Sequence, residues 1–367
     1  MNVYSINPRI FLLLLGILAA GCGQDTGEEV ADCSHRGAIR SPEVIGKVYL
    51  DADHDDHSIY EGGLGRGDEP LAGIDVRLLG KSRDALFTSC DDGFFGFGDL
   101  ANGIYIIQPA LKPGYKVTTR NRPDRLVRAV EEGSLNLVAF GDSLPVVGHP
   151  VPFPERLAER LSPLVEVQLH NEAVGGTSSE EWLPGGYYFD RLVPLLPDAD
   201  VIVVSMGGND VLYFFQDMYN TGDFSDLEER FDIVMDEIIG RLFTIIGAVR
   251  EHNPDVDIVY LLYPNYATCD GWAEMLGPFQ DFIVDLFDSG ILKILDSIDA
   301  IDPILLIDMY GLIIEKEMDL DIYLADELHF NDLGHSLVAD EALRALGISR
   351  VGEKQLGMKP HFGMELE

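Results

Sequence analysis

The chain is short of positive charge, because 26 lysines and arginines stand against 63 aspartates and glutamates, and the formal net charge at pH 7 is −37. A polyanion gains nothing from another polyanion, so nucleic acid is excluded as a partner and anionic headgroups are poor ones. The acidic residues are spread along the sequence, which argues against a disordered acidic tail. Its 367 residues, 46% of them hydrophobic, are enough for two folded domains.

Several enzyme signatures are also absent. The sequence has no His-Glu-x-x-His zinc pattern. It also lacks the Gly-x-Ser-x-Gly elbow of α/β-hydrolases, because Pro145 stands at the second glycine. The run Gly80-Lys-Ser is preceded by Asp75 where a phosphate-binding loop has its first glycine, and no helical pattern follows it. That run therefore predicts a hairpin turn.

Long apolar runs are scarce, and the one at the N-terminus is too short to cross a membrane comfortably. Arg9 precedes the apolar stretch 10–20, which ends in Leu18-Ala-Ala-Gly-Cys22, an order typical of a secretory signal. This ending resembles a bacterial lipobox. The resemblance implies a lipoprotein signal peptide over residues 1–22 and a lipid on Cys22 that anchors the exported protein to a bacterial membrane, facing the periplasm or the cell surface. An ordinary signal peptide with a chance cysteine is the alternative.

Cysteine is rare, with four residues in the chain. If Cys22 carries lipid, Cys33, Cys90 and Cys269 remain, and an oxidising compartment permits one disulfide among them. We favour Cys33 with Cys90, because both lie in or beside the N-terminal module, although the sequence does not establish the connectivity. Cys269 is then expected to be a free thiol with a packing role.

Two N-terminal segments follow the signal. Residues 23–41 are polar and predict a tether. Residues 42–120 contain short β-type runs split by turn residues, which predict a small all-β sandwich.

The acidic and glycine-rich stretches 46–53, 67–76 and 91–97 resemble the B-type repeat domains of bacterial surface adhesins. That resemblance implies a calcium-binding acidic loop. Its candidate ligands are Asp51, Asp53, Asp55 and Glu69, whose carboxylate oxygens suit Ca²⁺. A solvated acidic loop without a fixed ion is the alternative.

From residue 134 onward, apolar strands alternate with longer helix-like segments. The candidate strands are 135–140, 165–169, 201–205, 258–263 and 304–307, and the candidate helices are 153–164, 224–252 and 277–295. Such alternation predicts an α/β fold, a parallel sheet flanked by helices with its functional residues at the carboxyl ends of the strands. The domain is expected over residues 134–348, and residues 349–367 are expected to form a C-terminal tail.

Four short blocks follow these strands or lie near the C-terminus: Gly141-Asp-Ser143-Leu, Gly175-Gly176-Thr, Gly207-Gly-Asn209-Asp, and Asp326-Glu-Leu-His329. In this order they resemble the SGNH hydrolase, or GDSL esterase/lipase, superfamily over about residues 134–348. The resemblance implies a flavodoxin-like domain in which Ser143 is the nucleophile and Asp326 and His329 complete a triad. It also implies an oxyanion hole formed by Ser143, Gly176 and Asn209.

These residue types suit acyl transfer. A serine hydroxyl is a weak nucleophile, so an imidazole must take its proton during attack and return it to the leaving alkoxide. Asp326 precedes His329 by three residues, close enough to accept a hydrogen bond from Nδ1 and leave Nε2 facing Ser143. Backbone N–H groups of Ser143 and Gly176, with the Asn209 amide, would stabilise the developing oxyanion.

We therefore expect an exported serine esterase or lipase that hydrolyses carboxylic esters through an acyl-enzyme, with no cofactor for catalysis and an acylated glycan or a lipid as substrate. An O-acyltransferase with the same triad is one alternative, and a catalytically silent surface-binding lipoprotein is another. The aromatic segments 187–189 and 211–215 are candidates for an apolar cleft, or else for the core. His335 is expected to support structure.

Overall fold

The computed structural model describes residues 29–31, 33–34, 39, 44–50, 69–81, 83–110, 115–117, 124–147, 151–299, 304–351 and 361–366. The predicted signal peptide with Cys22, most of the predicted tether, and the proposed calcium ligands Asp51, Asp53 and Asp55 lie outside these residues. Within the described ranges, no helix combines the length and the apolar character needed to span a membrane.

The N-terminal module consists of two facing sheets. Its strands are β1 (Glu29–Ala31), β2 (Val44–Leu50), β3 (Glu69–Pro70), β4 (Asp75–Gly80), β5 (Arg83–Thr88), β6 (Phe94–Phe97), β7 (Gly103–Pro109) and β8 (Tyr115–Val117). β1, β5, β4 and β7 lie side by side in one sheet, and β2, β3, β6 and β8 belong to the other. Val48, Val76, Leu78, Phe87 and Phe95 are buried between them. Two sheets over one core form the predicted sandwich, although β1, which pairs with β5, lies in the segment 23–41 that was predicted to be a tether.

A disulfide joins Cys33 to Cys90, with their Cα atoms 5.4 Å apart. The favoured pairing is therefore confirmed, and Cys269 is free and buried, as expected. Glu69 is exposed in β3. Among the described residues, no cluster of three or more histidine, cysteine, aspartate or glutamate side chains could hold a metal ion.

The second domain alternates helices with strands. In chain order these are α1 (Asp124–Glu132), β9 (Ser134–Gly141), α2 (Phe153–Leu161), β10 (Glu166–Asn171), α3 (Tyr187–Leu192), β11 (Val201–Ser205), α4 (Gly208–Thr221), α5 (Leu227–His252), β12 (Asp257–Leu262), α6 (Asp270–Leu276), α7 (Gln280–Asp299), β13 (Ile304–Asp308), α8 (Met309–Glu315) and α9 (Asp332–Ala345). The sheet order is β10-β9-β11-β12-β13, and every neighbouring pair is parallel. This is the flavodoxin-like order. The predicted fold class is confirmed.

The buried strands explain why helices cover both faces of this sheet. Every residue of β11, β12 and β13 is buried, so their side chains need apolar partners on each side. α2 and α9 supply residues to the core on one face, and α5 and α7 to the core on the other. The sheet therefore lies at the centre of the domain, with its carboxyl edge open for a site.

The C-terminal segment differs from the expected tail. β14 (Ile348–Val351) pairs antiparallel with β7, and β15 (His361–Leu366) lies between β2 and β8 in the second sheet of the module. These strands are short and are completed by partners more than two hundred residues earlier in the chain, so local sequence does not reveal them. The C-terminus thus returns to the N-terminal module.

Candidate active site

Ser143 follows β9 at the point where the sheet order changes direction. The connection after β9 covers one face of the sheet and the connection after β11 the other, which opens a crevice at the carboxyl ends of these strands. Gly141 has φ +123°, and a Cβ there would lie 1.7 Å from the carbonyl oxygen of Ser205 in β11. Only glycine allows the chain to turn this close to its neighbour. The turn brings Ser143 into the crevice.

Three side chains form a continuous hydrogen-bonded chain in this crevice. His329 Nε2 lies 3.1 Å from the Ser143 hydroxyl oxygen, and His329 Nδ1 lies 2.9 Å from Asp326 Oδ2. A proton on Nδ1 would be donated to Asp326, and the lone pair on Nε2 would then face the hydroxyl. The arrangement can remove a proton from Ser143 as its oxygen attacks an electrophile.

Local backbone contacts hold Asp326 in place. Its Oδ1 accepts the N–H groups of Leu328 at 2.9 Å and His329 at 2.7 Å. Partial burial raises the pKa of Asp326, but the hydrogen bonds from the ring and the backbone of His329 and from Leu328 outweigh it and hold the pKa below its ordinary value. The carboxylate is therefore ionised at neutral pH.

Asn331, which the sequence reasoning did not single out, fixes the same loop. Its side-chain oxygen accepts N–H groups from Leu333 and Gly334 at the start of α9, and its amide donates to the carbonyl oxygens of Ile322 and Leu324. In the sequence, an asparagine directly before a helical run is the signal that could have indicated this helix-capping role. The loop that carries His329 is thus tied to the helix that follows it.

The predicted oxyanion residues lie beside the nucleophile. A Cβ added at Gly175 would be 3.7 Å from the Ser143 Cβ, and Gly176 has φ +83°. The Asn209 side-chain amide, in the first turn of α4, donates to the Thr177 carbonyl oxygen at 2.9 Å. An amide carries two N–H groups, so the second is left for a substrate. The structure thus brings all five residues predicted for the triad and the oxyanion hole to one crevice.

A buried network lies beneath Ser143. Asp142 accepts hydrogen bonds from the Tyr263 hydroxyl at 2.5 Å, the Ser205 hydroxyl at 2.9 Å and the Leu144 N–H at 3.2 Å. Burial raises the pKa of Asp142 to about 6, although these donors oppose the shift. The network joins the ends of β9, β11 and β12, and the sequence reasoning gave none of its members a role.

A second buried carboxylate ties the oxyanion loop to the helices. Asp210 accepts the Ser179 N–H at 2.8 Å and the Ser179 hydroxyl at 2.7 Å, and Arg241 of α5 donates to it at 3.1 Å. Asp210 directly follows Asn209, whose own side chain donates to Thr177 in the same loop. The sequence signal that could have identified Asp210 is its position directly after Asn209 in the third block.

The two aromatic segments considered for a cleft have different positions. Tyr187 is 74% exposed and Phe189 is buried in the core beneath the sheet. Val211 and Leu212, from the second segment, line an apolar cavity of about 110 Å³ that adjoins Ser143. The second segment, on α4, therefore contributes to the cleft, and the segment 187–189 does not line it.

Residues 139–337 match the model of the GDSL-like Lipase/Acylhydrolase family, which is more than half of the chain. The chain belongs to this family. The resemblance drawn from the four blocks is therefore confirmed, and the protein is a carboxylic ester hydrolase of the SGNH/GDSL type. A search of curated proteins finds no match to the sequence.

Three solved structures illustrate the similarity. A lipase from a goat rumen metagenome is 22% identical, with 57% of this chain and 97% of that one covered and a TM-score of 0.45. An acetylxylan esterase from Geobacillus stearothermophilus is 16% identical, with 60% and 97% covered and a TM-score of 0.41. A putative SGNH hydrolase from Slackia heliotrinireducens is 18% identical, with 58% and 100% covered and a TM-score of 0.38.

Proposed function

We propose that this family member is an exported serine esterase that cleaves carboxylic esters through an acyl-enzyme on Ser143. The observation that carries the proposal is the hydrogen-bonded chain from Asp326 through His329 to the Ser143 hydroxyl, with distances of 2.9 and 3.1 Å. A base within hydrogen-bond reach of a serine, itself oriented by a carboxylate, is the arrangement that activates such a nucleophile.

In the first half-reaction, His329 Nε2 takes the Ser143 proton as the oxygen attacks the ester carbonyl carbon. The N–H groups of Ser143 and Gly176 and the free amide N–H of Asn209 stabilise the resulting oxyanion; losing one such donor typically costs about a hundredfold or more in rate. The tetrahedral intermediate collapses, and His329 returns the proton to the leaving alkoxide.

In the second half-reaction, water attacks the acyl-enzyme. His329 again removes the proton and then returns it to Ser143 Oγ as the carboxylic acid leaves. Asp326, ionised throughout, stabilises the imidazolium that forms in both halves, which its lowered pKa supports.

The proposal places the protein outside the cytoplasm, anchored by lipid on Cys22, with an acylated glycan or a lipid as its ester substrate. Its support is the lipobox-like sequence before Cys22 and the Cys33–Cys90 disulfide, because disulfides persist mainly in oxidising compartments. Expression in a bacterium with labelled palmitate should label the membrane-bound chain. Equal labelling of a Cys22→Ser variant would contradict the anchor.

The reaction is tested with p-nitrophenyl esters from acetate to palmitate and the purified full chain. Ser143→Ala should lower turnover at least about a thousandfold, because the nucleophile is lost. Ser162→Ala, an exposed serine after α2, is the matched control and should keep native turnover. A burst of p-nitrophenol would report the acyl-enzyme. Turnover that persists in Ser143→Ala, or none by the folded native chain, would refute the proposal.

A further inference from the structure

The apolar cavity beside Ser143 extends between two helices. Ser143 and Asn209 line it, and most of the remaining surface is hydrocarbon. Its helical walls are formed by Phe231, Met235 and Ile238 of α5 and by Phe287, Ile291 and Ile294 of α7. A ligand bound covalently to Ser143 would therefore have an apolar space directly next to its acyl group.

Gly290 keeps part of this space clear. A Cβ at residue 290 would lie 2.9 Å from Cε1 of Phe231 and 3.2 Å from Sδ of Met235. Glycine inside a helix is less favourable than alanine, yet any side chain here would have to displace one of these two. The approach of α5 to α7 beside the cavity thus depends on the glycine.

Polar groups are unevenly distributed around the cavity. Asp142 and Tyr263, at the Ser143 end, are hydrogen-bonded to each other. The ion pairs of Lys293 of α7 with Asp232 and Asp236 of α5 lie outside the cavity lining, with both carboxylates more than half exposed to solvent. One polar end and an otherwise apolar wall match a ligand with a polar head and a hydrocarbon chain.

We infer that this cavity receives the acyl chain, so that the enzyme selects esters of medium-chain fatty acids. The inference rests on the proposed function and adds the substrate class to it. An engineered apolar cavity of about 150 Å³ holds a six-carbon ring. A cavity of about 110 Å³ therefore has room for roughly four to six chain carbons. An acetyl group would leave most of it empty.

The inference predicts a steep dependence on acyl length. Burial of one methylene is worth about 0.8 kcal/mol, which corresponds to about fourfold in kcat/KM. Over the four additional methylenes, p-nitrophenyl hexanoate should exceed the acetate by about two hundredfold. Palmitate should fall well below hexanoate, because its chain exceeds the cavity.

Three substitutions on α7 test the location. Ile291→Trp fills the cavity and should lower the hexanoate-to-acetate ratio of kcat/KM at least tenfold. Ile294→Ala enlarges the cavity and should move the optimum toward octanoate or decanoate. Leu292→Trp is the matched control, because this neighbour is 46% exposed and does not line the cavity, and it should keep the native ratio.

The outcomes separate the two proposals. If acetate and hexanoate are hydrolysed but Ile291→Trp and Ile294→Ala both keep the native ratio, the inference is overturned and the proposed function stands. If Ile291→Trp does not fold, judged by circular dichroism, Ile294→Ala alone decides.

If no ester is hydrolysed, the proposed function fails, and binding of hexanoate to the Ser143→Ala variant tests the cavity by itself. A hexanoate-dependent rise in Tm that is lost on adding Ile294→Trp would support the inference. The absence of any rise would overturn it.

Discussion

Asp142 and Tyr263 show that much of the site lies beneath the residues that would contact a substrate. Asp142 is buried directly before Ser143, and the Tyr263 hydroxyl and the Ser205 hydroxyl donate to it. With a pKa of about 6, raised by burial, this carboxyl group is mostly ionised at pH 8 and mostly protonated at pH 5. The strength of the hydrogen bond from Tyr263 should therefore depend on pH, because a charged acceptor makes the stronger bond.

Tyr263→Phe should consequently destabilise the protein more at pH 8 than at pH 5. At pH 8 the loss leaves a buried carboxylate with one donor fewer, which costs about 1–3 kcal/mol in the free energy of unfolding. Urea unfolding at the two pH values measures the difference. Tyr260→Phe is the matched control, because its hydroxyl donates to the neutral carbonyl of Met206, and its cost should not change with pH. Equal costs for Tyr263→Phe at both pH values would contradict the prediction.

Residues of the site differ in how far the sequence could predict them. Ser143, Asn209 and His329 stand in short blocks with glycines or acidic neighbours at fixed spacing, and those blocks point to a chemistry. Ser205 and Tyr263 are 58 residues apart, and they meet Asp142 only because three parallel strands end side by side. No sequence spacing indicates that these three side chains are in contact, so the hydrogen-bond network could be identified only from the structure.

At the scale of elements, the strands of the hydrolase sheet were easier to predict than its helices. Continuous apolar runs mark β11, β12 and β13, which need burial on both faces. α4 was missed, because its first turn carries Gly208 and Asn209, which are also typical turn residues, and aromatic side chains follow. α1 was missed as well. A backbone N–H near its N-terminus donates to a carboxylate at the start of a distant strand, and the local sequence does not show that hydrogen bond.

That distant partner is Asp257 at the start of β12, which accepts the Leu126 N–H of α1 at 2.7 Å. Burial raises the pKa of Asp257 to about 7, although the backbone donors of α1 oppose it. The folded state thus keeps a proton that the unfolded chain releases near pH 4. Because the folded pKa is raised, this group's contribution to stability is complete below pH 4 and is lost as pH rises to about 7.

Asp257→Asn should therefore flatten the pH dependence of stability. The amide cannot ionise, so the free energy of unfolding of the variant should fall less than that of the native protein between pH 4 and pH 7. Chemical denaturation across this range gives the two slopes. Asp255→Asn, two residues earlier and exposed, is the matched control and should keep the native slope. Parallel curves for Asp257→Asn and the native protein would contradict the assignment of this titration.

At the scale of the whole molecule, the module and the hydrolase domain share a core. Leu79 and Ile106, on the first sheet of the module, belong to the same buried cluster as Leu126 and Leu135 of the hydrolase domain. Ile107 points to the opposite face and into the module's own core. Arg77 of β4 also pairs with Glu131 of α1 at 2.7 Å. The module is therefore attached to the hydrolase domain by packing as well as by the chain.

A shared core predicts that a change inside the module weakens the hydrolase domain. Ile106→Ala should leave a cavity that costs about 2–5 kcal/mol and should lower the temperature of half-inactivation of ester hydrolysis by on the order of 5–10 °C. Ile107→Ala removes the same atoms one residue later on the other face, so it should lower that temperature less. Thermal inactivation followed with p-nitrophenyl hexanoate compares them. Equal temperatures of half-inactivation for the two variants would contradict the prediction. The shared core would then add nothing to the stability of the hydrolase domain.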